Sequence, residues 1–237
     1  MSAPLAAPRP GPSLLASAFA VFRKDLTSEW RTRTAVSTLL LFAFAVLVLV
    51  GYAVGPATIS PEDRPVVHSV LLWIVVFFSA MTGLSRVFVK EEETGTASAL
   101  RLTASPPAVF LGKLLANVLL LLLVLVLVVP LFLAMMSFGV KSWPLFLSVL
   151  LLGGLGLASA STFTAAIVSK AAAKGALFPV LAIPLLLPPL VAAVTGTRIA
   201  ATDPELAAGA EVIKLLIAYD GVVTTASFLL FDAVFRE

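Results

Sequence analysis

The feature that most constrains this chain is a series of long apolar runs separated by short charged stretches. A helix that crosses the ~30 Å hydrocarbon core of a bilayer needs roughly 20 consecutive apolar residues. Six runs of about that length are present, at residues 35–54, 66–85, 114–138, 145–168, 177–195 and 213–235. They are unbroken, whereas the strands of an outer-membrane barrel would alternate apolar and polar residues. The sequence therefore predicts an all-α membrane protein with six transmembrane helices.

Composition supports this prediction and excludes several classes of function. Of the 237 residues, 60% are hydrophobic and 12% are charged, which is outside the range of ordinary soluble domains. The chain has no cysteine for disulfides or thiolate chemistry, and its single histidine, His68, cannot form a metal site alone. The pair Gly112-Lys113 lacks the glycine pattern of a phosphate-binding loop. We expect no catalytic, cofactor-binding or metal-binding residues, and a chain that is not an enzyme by itself.

The distribution of basic residues predicts the orientation in the membrane. An even number of spans places both termini on one side, and Lys and Arg are enriched in cytoplasmic loops. Of the 16 Lys and Arg residues, the only ones on the other side would be Arg64, Lys141, Arg198 and Lys214. Both termini are therefore expected in the cytoplasm. Because the basic residues are dispersed along the membrane edges, no nucleic-acid partner is expected.

The region before the first span divides into two parts. Residues 1–12 contain four prolines and are expected to form a disordered tail. Residues 13–34 are expected to form an amphipathic helix at the membrane interface, with apolar side chains at helical spacing: Phe19, Phe22, Leu26 and Trp30. The basic residues between them would face lipid headgroups. Periodicity alone favours a generic lipid anchor over a specific function.

The connection between the second and third spans is the longest on the cytoplasmic side and is rich in charge. It extends from Arg86 to Lys113 and contains the acidic run Glu91-Glu92-Glu93, followed by Thr94 and Gly95. A short helix is predicted from Thr96 to Thr103, before the stop signal Ser105-Pro106-Pro107. Carboxylates beside a helix start could meet basic residues of a soluble partner, or the connection could be a solvated loop. Spacing by itself does not separate these two interpretations.

The fifth predicted span is interrupted by prolines. Four occur within it, namely Pro179, Pro184, Pro188 and Pro189. Each removes a backbone donor and crowds the carbonyl four residues earlier, so we expect a broken helix. Such a segment could be a gate or line a cavity, although a static kink explains the pattern equally well.

Two of the ionisable residues in the predicted spans could have a specific role. Asp220 lies well inside the last one, where a carboxylate is costly and should face the bundle interior or water. A structural hydrogen-bonding role is favoured over a role in substrate binding or proton transfer. His68 lies near the outer end of the second span, where an interfacial histidine is ordinary, and axial ligation of a heme is the less favoured alternative.

The connection also carries the residues by which the chain resembles a known family. The motifs are Arg86-Val87-Phe88, Glu91-Glu92-Glu93-Thr94-Gly95-Thr96, Leu100, Ser105-Pro106 and Phe110-Leu111-Gly112-Lys113-Leu114-Leu115. Together with Phe22-Arg23-Lys24-Asp25-Leu26 and the proline-rich fifth span, they resemble the permeases of type 2 ABC exporters. Within that superfamily the chain is most similar to the CcmB family, the heme exporter protein B subunits of cytochrome c maturation. The resemblance extends from about Phe22 to the end of the chain.

This resemblance implies a six-span permease domain, residues 35–237, in the bacterial cytoplasmic membrane. It implies a homodimer of permeases paired with a separate CcmA-like ATPase that binds the ATP, a CcmC-like heme protein and a CcmE-like chaperone. Heme would be the cargo of the complex, and this chain would have a mechanical role. The ATPase would couple to the spans through Glu91, Glu92, Glu93, Gly95, Thr96, Leu100 and Arg101.

Three other hypotheses are compatible with the sequence. A type 2 ABC exporter for a drug, lipid or glycan would share the same motifs. An ion-coupled secondary transporter would need no ATPase and would depend on Asp220. A membrane scaffold is the weakest of the three.

Overall fold

The fold is described from a computed structural model, which covers residues 13–54, 59–84, 91, 95, 96, 100, 102–169 and 174–236. Within these residues the chain forms seven α-helices and one short 3₁₀-helix, Leu206–Gly209. The α-helices are α1 Leu14–Thr32, α2 Thr34–Ala53, α3 Arg64–Leu84, α4 Pro106–Met136, α5 Trp143–Ser169, α6 Lys174–Thr202 and α7 Ala210–Arg236. Six of them, α2 to α7, are long and apolar enough to cross a membrane. The predicted all-α fold with six spans is confirmed.

The N-terminal amphipathic helix is also present as α1. Ser13 caps it, because its hydroxyl oxygen accepts a hydrogen bond from the backbone N–H of Ala16 at 3.3 Å. The helix ends where Arg33 adopts a left-handed conformation, with φ of +53°. This single residue turns the chain from α1 directly into α2.

Helix α4 begins earlier than the sequence pattern predicted. The expected span started at residue 114, whereas the helix starts at Pro106, with Ser105 at the N-cap. Proline at the first helical position is favourable, because its missing N–H would have no intrahelical partner there. Lys113 is therefore within the helix rather than in the loop before it.

Helix α5 is the centre of the bundle and packs on α3, α4, α6 and α7. Its small residues allow this close packing, since a Cβ atom on Gly153 would lie 2.5 Å from the ring of Trp73 in α3. The indole N–H of Trp73 in turn donates a 2.9 Å hydrogen bond to the hydroxyl of Thr197 in α6. Buried polar links of this kind fix the mutual orientation of helices in an apolar bundle.

The predicted break in the fifth span is wrong, because α6 continues through all four prolines from Lys174 to Thr202. Its continuity has a physical reason at Pro189, which has no N–H to offer the carbonyl of Leu185 four residues earlier. The hydroxyl of Tyr219 in α7 donates a hydrogen bond to that carbonyl instead. A freed carbonyl that a neighbouring helix satisfies does not have to interrupt the span.

Candidate functional site

Four charged side chains form a closed ring at the end of the bundle where α1 lies. We call this end of the bundle the terminal side. The ring consists of Lys24 and Asp25 in α1, Glu91 in the connection and Lys113 in α4. The Nζ atom of Lys113 lies 3.0 Å from Oδ2 of Asp25 and 2.9 Å from Oε1 of Glu91. The Nζ atom of Lys24 lies 3.1 Å from Oδ1 of Asp25 and also bonds Oε1 of Glu91. Positive and negative charges alternate, so the ring has no net charge.

This charge ring is mostly removed from water. The side chain of Lys113 is 1% exposed, those of Asp25 and Glu91 are 15% and 11% exposed, and only Lys24 is half-exposed. A buried ammonium without an anionic partner costs several kcal/mol, so Lys113 depends on its two carboxylates. The ring therefore joins α1 and the connection to the buried ammonium group of α4.

The electrostatics of the ring favour the ionised forms. Burial by itself would raise the pKa of Glu91, but the charge of Lys113 and hydrogen bonds from Lys24 and other donors outweigh it and lower the pKa to about 2. Burial likewise opposes the charge on Lys24, yet its hydrogen bond to Glu91 and the nearby carboxylates raise its pKa above the usual 10.5. Both shifts indicate that the ion pairs are intact at neutral pH.

A glycine allows α1 to approach α4 closely enough to build the ring. A Cβ atom on Gly112 would lie 2.6 Å from the backbone oxygen of Ala18 and 2.7 Å from Cβ of Val21. Ala18 and Val21 are buried on the same face of α1 that carries Asp25. This close contact brings Asp25 to the ammonium of Lys113, the residue that follows the glycine.

The connection folds back on itself where it joins the ring. The backbone N–H of Thr96 donates to the carbonyl oxygen of Glu91 at 3.0 Å, and the Thr96 hydroxyl donates to the Glu91 carboxylate. Gly95 has a φ of +68°, a conformation that glycine adopts without a steric penalty. The 91–96 turn thus presents the Glu91 carboxylate to the bundle and leaves Gly95 and Thr96 exposed.

The structure places the predicted coupling residues in different environments. Glu91 and Leu100 are buried against the bundle, whereas Gly95 and Thr96 face outward. Glu92, Glu93 and Arg101 lie outside the described residues. Sequence reasoning missed Leu102, which is 89% exposed two residues after Leu100. The sequence did contain a signal for it. Leu100 and Leu102 are two residues apart, and a helical turn places residues at this spacing on different faces, so only one of the two could be buried.

Sequence reasoning also missed Lys24, Asp25 and Lys113 as members of one site. A lysine inside an apolar helix is a signal by itself, because its charge must be paired or reach water. The partner of Lys113 could not be inferred from local spacing, since Asp25 precedes it by 88 residues.

The predicted apolar stripe of α1 faces away from the bundle. Phe19 is 60% exposed, Leu26 38% and Trp30 75%, while Phe22 is partly buried beside Phe19. A neighbouring face of α1 packs on α4 and carries Asp25. An outward apolar stripe with an inward docking face is the arrangement expected of an interfacial helix that is also fixed to the bundle.

The two intramembrane ionisable residues are both buried and lie far from the charge ring in sequence. His68 is 1% exposed and lies edge-on to Phe132 and Phe138, with ring centroids 6.3 and 5.8 Å away. Asp220 is 6% exposed and lies against Gly156 of α5. Among the prolines of α6, Pro189 lies near this carboxylate. The side chain of Pro179 is outside the part of the chain that the structure describes.

Six apolar spans, an amphipathic helix docked on them and a charged connection define a multi-pass membrane protein. Comparison with known proteins gives the particular family. The sequence profile of the CcmB protein family matches residues 16–235, so the chain belongs to the CcmB family. The resemblance noted from the connection is thereby confirmed.

Two relatives are similar over most of their length. Heme exporter protein B of Rhodobacter capsulatus is 32% identical over 174 residues, which cover 73% of this chain and 78% of the relative. Heme exporter protein B of Haemophilus influenzae is 26% identical over 215 residues, which cover 90% of this chain and 95% of the relative. The family match over residues 16–235 extends from α1 through the six spans.

Proposed function

We propose that the chain is the membrane permease subunit of an ABC transporter complex that serves heme delivery in cytochrome c maturation. The family match and the relatives named heme exporter protein B support this proposal. ATP would be bound and hydrolysed by a separate CcmA-like subunit. The terminal side would face the cytoplasm of a bacterial cell, as the distribution of Lys and Arg predicts.

The observation that carries the proposal is the charge ring, because it joins the connection to two helices of the body. A partner that moves the exposed part of the connection would also move Glu91, whose carboxylate is bonded to Lys113 and Lys24. The displacement would reach α4 through Lys113 and α1 through Lys24 and its neighbour Asp25. The ring is thus a mechanical link between a docking surface and the spans.

Exposed and buried residues of the connection would have separate roles. Gly95, Thr96 and Leu102 are exposed and would contact the ATPase. Glu91 and Leu100 are buried and would hold the segment on the bundle. Glu92, Glu93 and Arg101 would supply charges to the same docking surface. An exposed leucine beside charged groups is typical of a contact surface with an apolar centre and a polar rim.

The role of this chain toward heme would be mechanical. Its single histidine is enclosed by phenylalanines in the bundle rather than presented at a surface. Two copies of the permease would assemble with the ATPase, a CcmC-like heme protein and a CcmE-like chaperone, and ATP use would drive the release of heme-loaded chaperone. The alternative within the same superfamily is an exporter for another cargo.

The proposal is tested by cytochrome c assembly in a strain whose only copy of this gene is the variant. The variants are Lys113→Met, which breaks the ring, and Glu92→Lys with Glu93→Lys, which reverses the docking charges. The matched control is Lys214→Met, since Lys214 is an exposed lysine paired with Glu211 at the other end of the bundle.

We expect both test variants to reach the membrane and to abolish assembly of c-type cytochromes, while Lys214→Met supports normal assembly. Normal assembly with the reversed docking charges would contradict the coupling role. Transport by the purified chain alone, driven by a proton gradient, would contradict the ABC assignment itself.

A further inference from the structure

Asp220 is a carboxylic acid buried within a span, and its charge would have no partner among the residues that the structure describes. It lies in α7 and is 6% exposed. Neither carboxylate oxygen has a hydrogen-bond partner among the residues that the structure describes. The carboxylate lies against the Cα of Gly156 in α5, where an added Cβ would be 2.8 Å from Oδ1. The same added atom would lie 3.2 Å from Pro189 in α6 and 3.3 Å from the Tyr219 ring.

The helices around Asp220 bring no charge to it. Residues 143–169 of α5 and 180–197 of α6 contain no ionisable side chain, and neither does the 3₁₀-helix. The remaining ionisable groups of α6 are Lys174 and Arg198 near its ends, and α4 has Lys113 alone, which belongs to the charge ring. On α7 itself, Lys214 pairs with Glu211, and Asp232 and Arg236 follow Asp220 only near the end of the helix. The nearest titratable group is Tyr219, whose hydroxyl donates to the carbonyl of Leu185.

A carboxylate in such a site is unstable in its charged form. Burial of an unpaired charge in a medium of low dielectric costs so much that the group takes up a proton instead. A neutral carboxyl costs far less and fits the same space. The packing of α7 on α5 at Gly156 therefore favours the protonated form over the ionised one.

A second polar contact lies on the same faces of the two helices. The hydroxyls of Ser159 in α5 and Thr224 in α7 are 3.1 Å apart, one turn further along from Gly156 and Asp220. This hydrogen bond involves no titratable group and would keep the helices in register if the Asp220 contact opened. The two helices are thus joined at Ser159 and Thr224 by a hydrogen bond that does not depend on the protonation of Asp220.

We propose that Asp220 is a proton-binding site that controls the contact between α7 and α5. With the proton bound, an O–H bond on the carboxyl keeps it neutral and it packs on Gly156. When α7 moves away from α5 and water enters, the proton leaves to water and the carboxylate becomes hydrated. The ligand is a proton, and its binding is linked to the closed packing of the bundle.

The experiment measures the protonation of Asp220 in the purified full chain in lipid nanodiscs. Infrared difference spectroscopy follows the C=O stretch of a protonated carboxyl, and the isosteric Asp220→Asn variant assigns the band. Carbodiimide labelling of the wild-type chain, read by mass spectrometry of the Asp220 peptide, gives a second measurement that needs no variant.

We expect the carboxyl band and the label at neutral pH in the wild-type chain, and loss of the band in Asp220→Asn. Gly156→Ala should push the carboxyl out of its contact and shift the midpoint of the band to lower pH. Gly154→Ala is the matched control, because its added Cβ would meet only leucine side chains, the nearest at 3.3 Å.

Three outcomes would overturn the proposal. They are a wild-type chain with neither band nor label at neutral pH, a band that persists in Asp220→Asn, and a label that sodium ions abolish at constant pH. The last result would assign an alkali cation to the site in place of a proton. Because no ATPase or heme enters the experiment, its failure would leave the proposed permease function untouched.

Discussion

The ammonium nitrogen of Lys113 lies 2.9 Å from Oε1 of Glu91, so the start of α4 is bonded to a segment 22 residues earlier in the chain. Lys113 is buried within an apolar helix, and a charge in that position is stable only while its partners remain in place. The connection that precedes α4 cannot shift without disturbing this pair.

Removal of two charges from the ring should cost less than the sum of the two single removals. Lys113→Met and Glu91→Gln should each lower the free energy of unfolding by about 3–5 kcal/mol, because each takes away an ion-pair partner from a charge that is buried. The double variant keeps the pair Lys24 and Asp25 and should lose less than the sum of the single changes. Unfolding in mixed micelles measures all three.

The control for this cycle is the exposed pair Glu211 and Lys214 on the other side of the bundle. Its single and double variants should leave the free energy of unfolding unchanged within error, because solvent screens exposed ion pairs. Additive losses in the ring would show that its members do not act together.

Docking of α1 should weaken at acidic pH. The pKa of Glu91 falls from its ordinary 4.5 to about 2 in the folded chain. A lowered pKa contributes stability that is present above the unfolded value and lost as the pH falls from about 4.5 towards 2. The distribution of distances between spin labels on α1 and α4 should broaden as the pH falls through this window. In Glu91→Gln the broadening should be present already at neutral pH and should no longer follow the titration.

Gly112→Ala should separate α1 from α4. The added methyl group would lie 2.6 Å from a backbone oxygen of α1, and a backbone atom cannot rotate away as the end of a side chain can. We expect normal insertion of the spans, faster proteolysis of α1 and loss of function. Gly221→Ala is the matched control, since its added Cβ would meet nothing within 4 Å. Equal proteolysis of the two variants would contradict the role of the close contact.

Tyr219 and Pro189 should be energetically coupled through the carbonyl of Leu185. Tyr219→Phe removes the hydrogen bond to that carbonyl and should cost about 1 kcal/mol. In a Pro189→Ala background the new N–H of residue 189 can bond the same carbonyl, so Tyr219→Phe should cost less there. A double-mutant cycle of thermal unfolding measures the difference. Strict additivity would mean that Tyr219 does not support the helix at its proline.

The spans could be predicted from the sequence, but the contacts between them could not. Run length predicts a membrane helix because the bilayer thickness is fixed, and all six predicted spans are found. The charge ring joins Lys24 to Glu91 across 67 residues, a pairing that depends on how α1 packs on α4. The continuity of α6 was missed for the same reason, since Tyr219 lies 34 residues after the carbonyl that it satisfies.

The most direct test of the proposed coupling is site-specific crosslinking from Leu102. The chain contains no cysteine, so Leu102→Cys carries a thiol-reactive photocrosslinker without background. Leu206→Cys is the matched control, because Leu206 is 48% exposed on the opposite side of the bundle. In intact membranes we expect the probe at residue 102 to crosslink to an ATPase subunit with a nucleotide-binding domain, and the probe at residue 206 not to do so. Crosslinking to that ATPase from residue 206, or from neither residue, would contradict a docking surface on the connection.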